Sequence, residues 1–330
     1  MEFLLKKMKI GNTDIEVSRI GLGTWAIGGG PAFENKDDEA KSIATIQHAL
    51  DLGINFVDTA PGYNFGNSEK IVGKAIKNKR DEYVIITKFG LVWEGEGSFF
   101  NKVGDTNLYK NLSKESIRKE IESSLQRLGT DYIDIYMSHW QSVEPYFTPI
   151  SETLEVLNEL KREGKIRAIG AANINTEQVE EYLKYGQLDI VQAKYSILDR
   201  QVEEDLLPLC KKNNITFQAY SPLEMGILTG TIGKDYVAPK GTARYGKKWF
   251  EPQNLSNVVD MLDKWQPLCK KYNCSIANLG IAWILAQAEN VNVLSGSMTP
   301  EELDDNNKTL SIQLSADDEA KMRRWAEEIS

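Results

Sequence analysis

Four polar residues placed at the ends of apolar runs carry the chemistry that can be read from this sequence. Asp58, Lys88 and His139 close the runs Asn55 to Asp58, Tyr83 to Lys88 and Ile133 to His139, and Tyr63 lies five residues beyond Asp58. A lone Lys at a strand end is ordinarily a solvated cap, and a lone His or Tyr is ordinarily a satisfied core residue. Convergence of all four on one face is what would make them a site. A phenol with its ordinary pKa of about 10 donates a proton poorly at neutral pH. An ammonium beside it is expected to lower that value, and a carboxylate holds the ammonium charged and oriented. An imidazole can hydrogen-bond a carbonyl oxygen and set its angle. Together these groups place a proton donor where an alkoxide develops, the general acid that carbonyl reduction needs. A metal is not required.

The elements that must position them follow one rhythm. Short β-branched runs alternate with amphipathic helical stretches, the mark of βαβ units and a parallel sheet. A small hairpin is expected first, with Met8-Lys9-Ile10 and Ile15-Glu16-Val17 flanking Gly11 to Asp14. The core strands then read as Arg19–Leu22, Asn55–Asp58, Tyr83–Lys88, Ile133–His139, Arg167–Ala171, Asp189–Ala193, Thr216–Tyr220 and Asn292–Ser295. Helices are expected over Asp38–Leu52, from an N-cap at Ser68, from an N-cap at Ser113 to Leu128, and over Ile150–Glu163. A polar loop separates the third strand from Ser113. Eight strands with helices between them, and no Pro-, Gly- or Ser-rich linker, predict a single α/β domain over 1–330, a (β/α)₈ TIM barrel. Its C-terminal face is where the four residues would meet. The one break in the rhythm is Glu224 to Leu255 after strand 7, a long loop with five Gly and two Pro that reads as functional.

Composition excludes several classes. With 39 Lys+Arg against 48 Asp+Glu and a net charge of −9, nucleic acid and anionic membrane surfaces are not expected partners. No apolar run reaches the length of a membrane span, and Met1 to Lys7 lacks the apolar core of a signal peptide. Cys210, Cys269 and Cys274 form neither a C-x-x-C pair nor an even set, and there are two His, His48 and His139. A cytoplasmic protein with a small-molecule substrate is expected. About three quarters of a chain of this length can be buried, enough for one large core.

Gly21-Leu22-Gly23-Thr24-Trp25-Ala26 matches the dinucleotide pattern G-x-G-x-x-A after a strand. Its context fails, because Ile27-Gly28-Gly29-Gly30-Pro31 cannot open the helix whose N-terminus would hold a pyrophosphate. A Gly-rich first loop that lets a cofactor approach the backbone is the better reading.

Gly23-Thr24-Trp25, Asp58-Thr59-Ala60-Pro61-Gly62-Tyr63, Gly66-Asn67-Ser68-Glu69, Thr87-Lys88 and Ser138-His139-Trp140 closely resemble the aldo-keto reductases. The resemblance runs from Met8 to Asn306 and is nearest to a bacterial subgroup with general-stress and inositol-related members. It implies a (β/α)₈ barrel, an extended nicotinamide cofactor (NADPH or NADH) held without a Rossmann fold, and a catalytic tetrad. Carried over by motif, Tyr63 is the general acid/base, Lys88 and Asp58 tune it, and His139 orients the carbonyl. Gly23, Thr24 and Trp25 stand at the cofactor. Asn173, Gln192 and Tyr220 take the carboxamide and the ring, roles their amide and aromatic groups suit. Ser221, Leu223, Gly226 and Leu228 open the long loop that folds over the pyrophosphate; Arg244, Lys247 and Lys248 in that loop are candidate phosphate partners, with a solvated basic face as the alternative reading. Gly296, Ser297, Met298, Glu302, Asp305 and Asn306 lie at the adenosine end.

The chain departs from the family in three places. Ala172 stands where a Ser usually precedes the Asn. Met298 replaces the basic residue expected near the adenosine 2′-phosphate, and acidic Glu302 replaces a Gln. Loss of one charge-assisted contact to phosphate costs about 1.5–3 kcal/mol, and an added carboxylate repels the dianion. A preference for NADH over NADPH is the expectation. Trp25 and Trp140 are expected as pocket walls and Trp93 on a substrate loop, while His48 is read as structural. The leading function is an NAD(P)H-dependent oxidoreductase acting on an aldehyde, a ketone or the corresponding alcohol, with a sugar- or polyol-like substrate implied by the subgroup. Two alternatives are a slow, channel-associated cofactor-binding subunit and a barrel enzyme using Lys88 as a Schiff-base nucleophile.

Overall fold

The structure, a computed structural model, describes residues 7–30 and 38–329. The signal-peptide reading of the first residues and the position of Pro31 lie outside the described residues, except for Lys7. Eight parallel strands close in sequence order: β1 (Ile20–Gly23), β2 (Phe56–Asp58), β3 (Val84–Phe89), β4 (Ile133–Ser138), β5 (Ile166–Ala172), β6 (Ile190–Lys194), β7 (Thr216–Tyr220) and β8 (Val291–Gly296), with β8 pairing back to β1. This is the predicted (β/α)₈ barrel. The antiparallel hairpin Lys7–Lys9 with Glu16–Ser18 precedes it.

The period-2 alternation of a strand explains how the barrel positions its polar residues. Outward-facing Val57, Ile85, Tyr136, Ile169 and Val191 pack against the surrounding helices in the main core. Inward-facing Phe56, Ile86, Ile135, Met137 and Ala168 form a second core with Ile10, Ile15 and Val17 of the hairpin region, which fill the N-terminal end. Two residues above this plug, on the same inward faces, stand Asp58 above Phe56 and Lys88 above Ile86. The apolar plug keeps water from reaching them from below.

Several elements refine the sequence reading. The helix Lys114–Leu128 is capped by Ser113 as expected and ends on Gly129 at φ 65°. Ser68 is not a cap: its helix begins at Asn67 behind Gly66, whose φ of 83° favours glycine. The Ser68 side chain is instead fully buried, its hydroxyl 2.7 Å from Thr24 Oγ1 and 3.0 Å from Thr59 Oγ1, and it donates to the Thr24 carbonyl at 3.1 Å. It therefore clamps the loop after β1 to the loop after β2. The polar loop after β3 is in fact an antiparallel sheet of Leu91–Val92, Ser98–Val103 and Thr106–Lys110. The segment turns at Gly104, where φ is 58°, and most of its polar residues face solvent, which hid the alternation. No helix among the described residues is long and apolar enough to cross a membrane.

Removing the Ser68 hydroxyl leaves two buried threonine hydroxyls short of a partner. Ser68→Ala is expected to lower unfolding stability by about 1–3 kcal/mol in urea titration.

Candidate active site

At the C-terminal mouth of the barrel, β2 and β3 lie side by side and deliver a carboxylate and an ammonium to the same point. Lys88 Nζ donates to both oxygens of Asp58, at 2.7 and 2.8 Å, to the Thr59 carbonyl at 3.1 Å and to the Tyr63 hydroxyl at 3.1 Å. Lys88 is entirely enclosed. A primary amine in this setting offers no free lone pair to a carbonyl, which disfavours the Schiff-base alternative. Tyr63 sits half-buried at the mouth, and its ring meets His139 edge-on with centroids 5.9 Å apart. His139 is one residue past the end of β4, and its backbone N–H donates to the Phe89 carbonyl at 2.9 Å. All four residues singled out by type and spacing thus converge.

The electrostatics differ from the expectation in one respect. Lys88 does not pull the Tyr63 phenol below its ordinary value; desolvation, with the Asp58 charge next, pushes it well above. The cost of burying a phenolate dominates, and the neighbouring Asp58 carboxylate adds to it. Desolvation also lowers Lys88 from the ordinary lysine value, with Asp58 opposing. Desolvation and the Lys88 charge hold His139 well below the usual histidine value. At neutral pH the site therefore presents a protonated phenol and a neutral imidazole.

A hydrogen-bonded relay, absent from the sequence reading, supports Asp58 from across the barrel. Gln192 Nε2 donates to Asp58 Oδ2 at 2.9 Å and to Gln218 Oε1 at 2.6 Å. Gln218 Nε2 donates to Asn292 Oδ1 at 2.8 Å, and Asn292 Nδ2 donates to the carbonyls of Ser18 and Arg19 at 2.8 and 3.0 Å. Both ends of the relay are acceptors only, so each amide has one permitted orientation. Gln192 must turn its nitrogen inward, which leaves its Oε1 as an acceptor. Asn173, held at φ 54° just beyond β5, accepts from the Tyr220 hydroxyl at 2.8 Å and donates to the His139 carbonyl at 3.0 Å, leaving its second amide hydrogen. One acceptor and one donor therefore stand ready, and these are the complements of a carboxamide. The signal for Gln218 and Asn292 was present in the sequence as amides inside apolar strands.

Other expected cofactor residues are placed differently. Thr24 is fully buried, and its backbone N–H and hydroxyl both donate to the Asp58 carbonyl, at 3.0 and 2.8 Å. Its side chain supports Asp58 from behind rather than reaching a cofactor. Ala172 is inward-facing and enclosed. Gly23 ends β1, and Trp25 beyond it is partly exposed, 6.5 Å from the Tyr63 ring. In the long loop, Ser221, Glu224, Met225 and Gly226 all have positive φ. The loop is latched by Glu224, which accepts from Ser196 at 2.6 Å and pairs with Lys194 at 2.9 Å. Leu223 is half-buried against the core, whereas the Leu228 side chain lies wholly within it. Arg244 is held within the loop. Its Nε donates to the Met225 carbonyl at 2.9 Å and its Nη1 to the Tyr236 hydroxyl at 3.2 Å, so it braces the loop. Lys247 is exposed, and Lys248 Nζ lies 4.3 Å from the Trp249 ring centroid.

At the adenosine end, Ser297 is buried and accepts from Asn306 at 2.9 Å, a contact that ties the turn after β8 to the following helix. Asp305 accepts from Ser275 at 2.7 Å, another internal tie. Beyond Gly296, Thr299 caps the helix Pro300–Lys308, and Glu302 turns back to accept the Met298 N–H at 2.8 Å. A carboxylate thus already occupies this helix start, where the field would otherwise favour a bound anion. The Trp140 ring lies tilted against Phe100 with centroids 5.3 Å apart, and Trp93 meets Phe65 edge-on at 5.6 Å, both contacts joining the antiparallel sheet region to the mouth. His48 bridges two helices through Asp304 at 2.8 Å, the structural role expected of it.

Residues 19–327 match the profile of the Aldo/keto reductase family. An NADH-specific methylglyoxal reductase of Escherichia coli (strain K12) is 60% identical over 324 residues, covering 98% of this chain and 99% of the relative. Among solved structures, a glycerol dehydrogenase of Gluconobacter oxydans superposes with a TM-score of 0.86 at 33% identity, covering 98% of this chain and 94% of that one. An aldo-keto reductase of Klebsiella pneumoniae in complex with NADPH superposes with a TM-score of 0.73 at 27% identity, covering 97% and 95%.

Removing one member of the buried ion pair strands the other. Asp58→Ala is expected to cost about 3–5 kcal/mol of stability in urea titration, and adding Lys88→Met is expected to recover part of that loss.

Proposed function

The chain belongs to the aldo/keto reductase family and is an NAD(P)H-dependent oxidoreductase that interconverts an aldehyde or ketone with its alcohol; from that premise we propose that Tyr63 is its general acid and base, NADH its preferred cofactor and small 2-oxoaldehydes its substrates. The observation that carries the reading is the Tyr63 hydroxyl 3.1 Å from Lys88 Nζ with the His139 ring alongside. The residues at the mouth fit a nicotinamide: Gln192 Oε1 would take the carboxamide NH₂, the second amide hydrogen of Asn173 would take its oxygen, and the Tyr220 ring lies at the end of β7. When bound, the reduced nicotinamide supplies a hydride to the carbonyl carbon.

This chain's own residues handle the oxygen. The neutral His139 donates an N–H to it and fixes its angle. Tyr63 transfers its proton as negative charge builds there, and the elevated pKa keeps that proton in place until then. The phenolate left behind is stabilised by the Lys88 ammonium, which Asp58 keeps charged. In the oxidative direction the phenolate takes the proton back from the alcohol. A complete tetrad favours turnover over the channel-associated reading. The polyol-like substrate implied by the general-stress and inositol-related subgroup is the second arm of any substrate panel.

NADH preference rests on the adenosine end. Met298 supplies no cation for a 2′-phosphate, and Glu302 holds a carboxylate against the Met298 amide. The identity with an NADH-specific relative supports the same reading.

Tyr63→Phe is expected to reduce kcat for methylglyoxal by at least about a thousandfold, while the NADH Kd measured by fluorescence stays within about twofold of wild type; retained turnover would refute the acid assignment. The ratio of kcat/KM for NADH over NADPH is expected to exceed about ten, and the double variant Met298→Arg with Glu302→Gln is expected to bring it down by roughly ten- to a hundredfold. A wild type favouring NADPH would sink the cofactor reading.

A further inference from the structure

Lys110 is placed unlike the other lysines of the surface. It ends the last strand of the antiparallel sheet and pairs with Leu91, two residues beyond Phe89, the last residue of β3. Phe89 in turn stands opposite Ser138, the residue before His139. The next residue, Asn111, donates its N–H to the Gly90 carbonyl at 3.3 Å. Lys110 is thereby fixed at the rim over the seam between the strand that carries Lys88 and the strand that leads into His139. Its Nζ lies 5.1 Å from the ring centroid of Trp140, the residue after His139, and 5.4 Å from that of Phe100.

Among the described residues this ammonium has no hydrogen-bond acceptor and no acidic partner. The acids of the sheet are engaged elsewhere: Glu94 with Lys119 at 3.9 Å, Glu96 with the Tyr146 hydroxyl at 3.1 Å and Asp105 with Lys102 at 3.7 Å. Two aromatic faces compensate only part of the hydration the ammonium loses between them. Desolvation accordingly lowers its pKa from the ordinary lysine value. A partly desolvated cation at the rim of a carbonyl site is complementary to an anion arriving with the substrate.

We propose that Lys110 is a subsite for an oxyanion, a carboxylate or a phosphate ester, carried at the far end of the carbonyl substrate, with Phe100 and Trp140 covering the carbon chain between the two poles. This rests on the assignment of Tyr63 and His139 to the carbonyl pole, and it widens the substrate class from neutral 2-oxoaldehydes to aldehydes and ketones bearing a negative charge. The charge is held by an N⁺–H···O⁻ contact, which accounts for roughly ten- to a hundredfold in affinity.

The test compares wild type, Lys110→Met and Lys110→Arg on methylglyoxal, on an ω-carboxylate aldehyde and on a phosphorylated aldehyde of similar chain length. The expected result is a charged-to-neutral ratio of kcat/KM that falls roughly ten- to a hundredfold in Lys110→Met, mainly through KM, and is largely kept in Lys110→Arg. The wild-type ratio is also expected to fall as salt rises. A larger loss on the carboxylate or on the phosphate identifies which oxyanion the subsite takes. A ratio unchanged in Lys110→Met, or a wild type that favours the neutral aldehyde, overturns the proposal. Failure to reduce methylglyoxal with NADH counts against the substrate reading of the previous subsection alone, because the two charged aldehydes still report on Lys110.

Discussion

Everything at the mouth of this barrel is arranged around one buried ion pair. An ammonium and a carboxylate taken out of water each lose several kcal/mol of hydration, and their attraction compensates only when the remaining donors and acceptors also find partners. Here they do. Asp58 receives both Lys88 contacts and the Gln192 amide, while Lys88 distributes its hydrogens over Asp58, the Thr59 carbonyl and Tyr63. Satisfying that pair requires β2, β3 and β6 to end at the same height, the hairpin to plug the barrel beneath, and Thr24 and Ser68 to hold the loops behind. The stability problem and the catalytic geometry have the same solution.

The pair also decides how the proton donor behaves. Burial, with the Asp58 charge beside it, keeps the phenol loaded. In the proposed mechanism Lys88 acts on the phenol once a charge begins to appear on its oxygen, when a fixed ammonium already stands 3.1 Å away. That is preorganisation in the strict sense: the stabilising group is in place and needs no reorganisation as the reaction proceeds.

Much of this was legible in the amino-acid order, for physical reasons that can be named. The strands announced themselves because each has two buried faces and is short and β-branched, and the tetrad because polar residues at the ends of such strands are costly without a use. What escaped depended on neighbours distant in sequence. Ser68 looked like a helix cap because Ser types favour that position, yet Gly66 makes the turn and Ser68 serves two threonines. The sheet after β3 was masked by a glutamate- and glycine-rich stretch whose alternation is polar on both faces. Arg244 suited phosphate by type, but only the folded loop shows its guanidinium bracing the Met225 carbonyl. The sign of the Tyr63 shift required knowing that the phenol is desolvated beside the Asp58 charge, which spacing alone does not state.

The relay from Asp58 to the Ser18 and Arg19 carbonyls has one further effect. Because both its ends accept hydrogen bonds and cannot donate them, Gln192 is barred from flipping and shows the mouth an oxygen only. On the proposed placement of the nicotinamide, this arrangement distinguishes an amide from an acid. A deamidated dinucleotide, with a carboxylate on its pyridine ring, would set one lone pair against another at Gln192, and the protein could not relieve the clash without breaking a chain of hydrogen bonds that runs to the opposite side of the barrel.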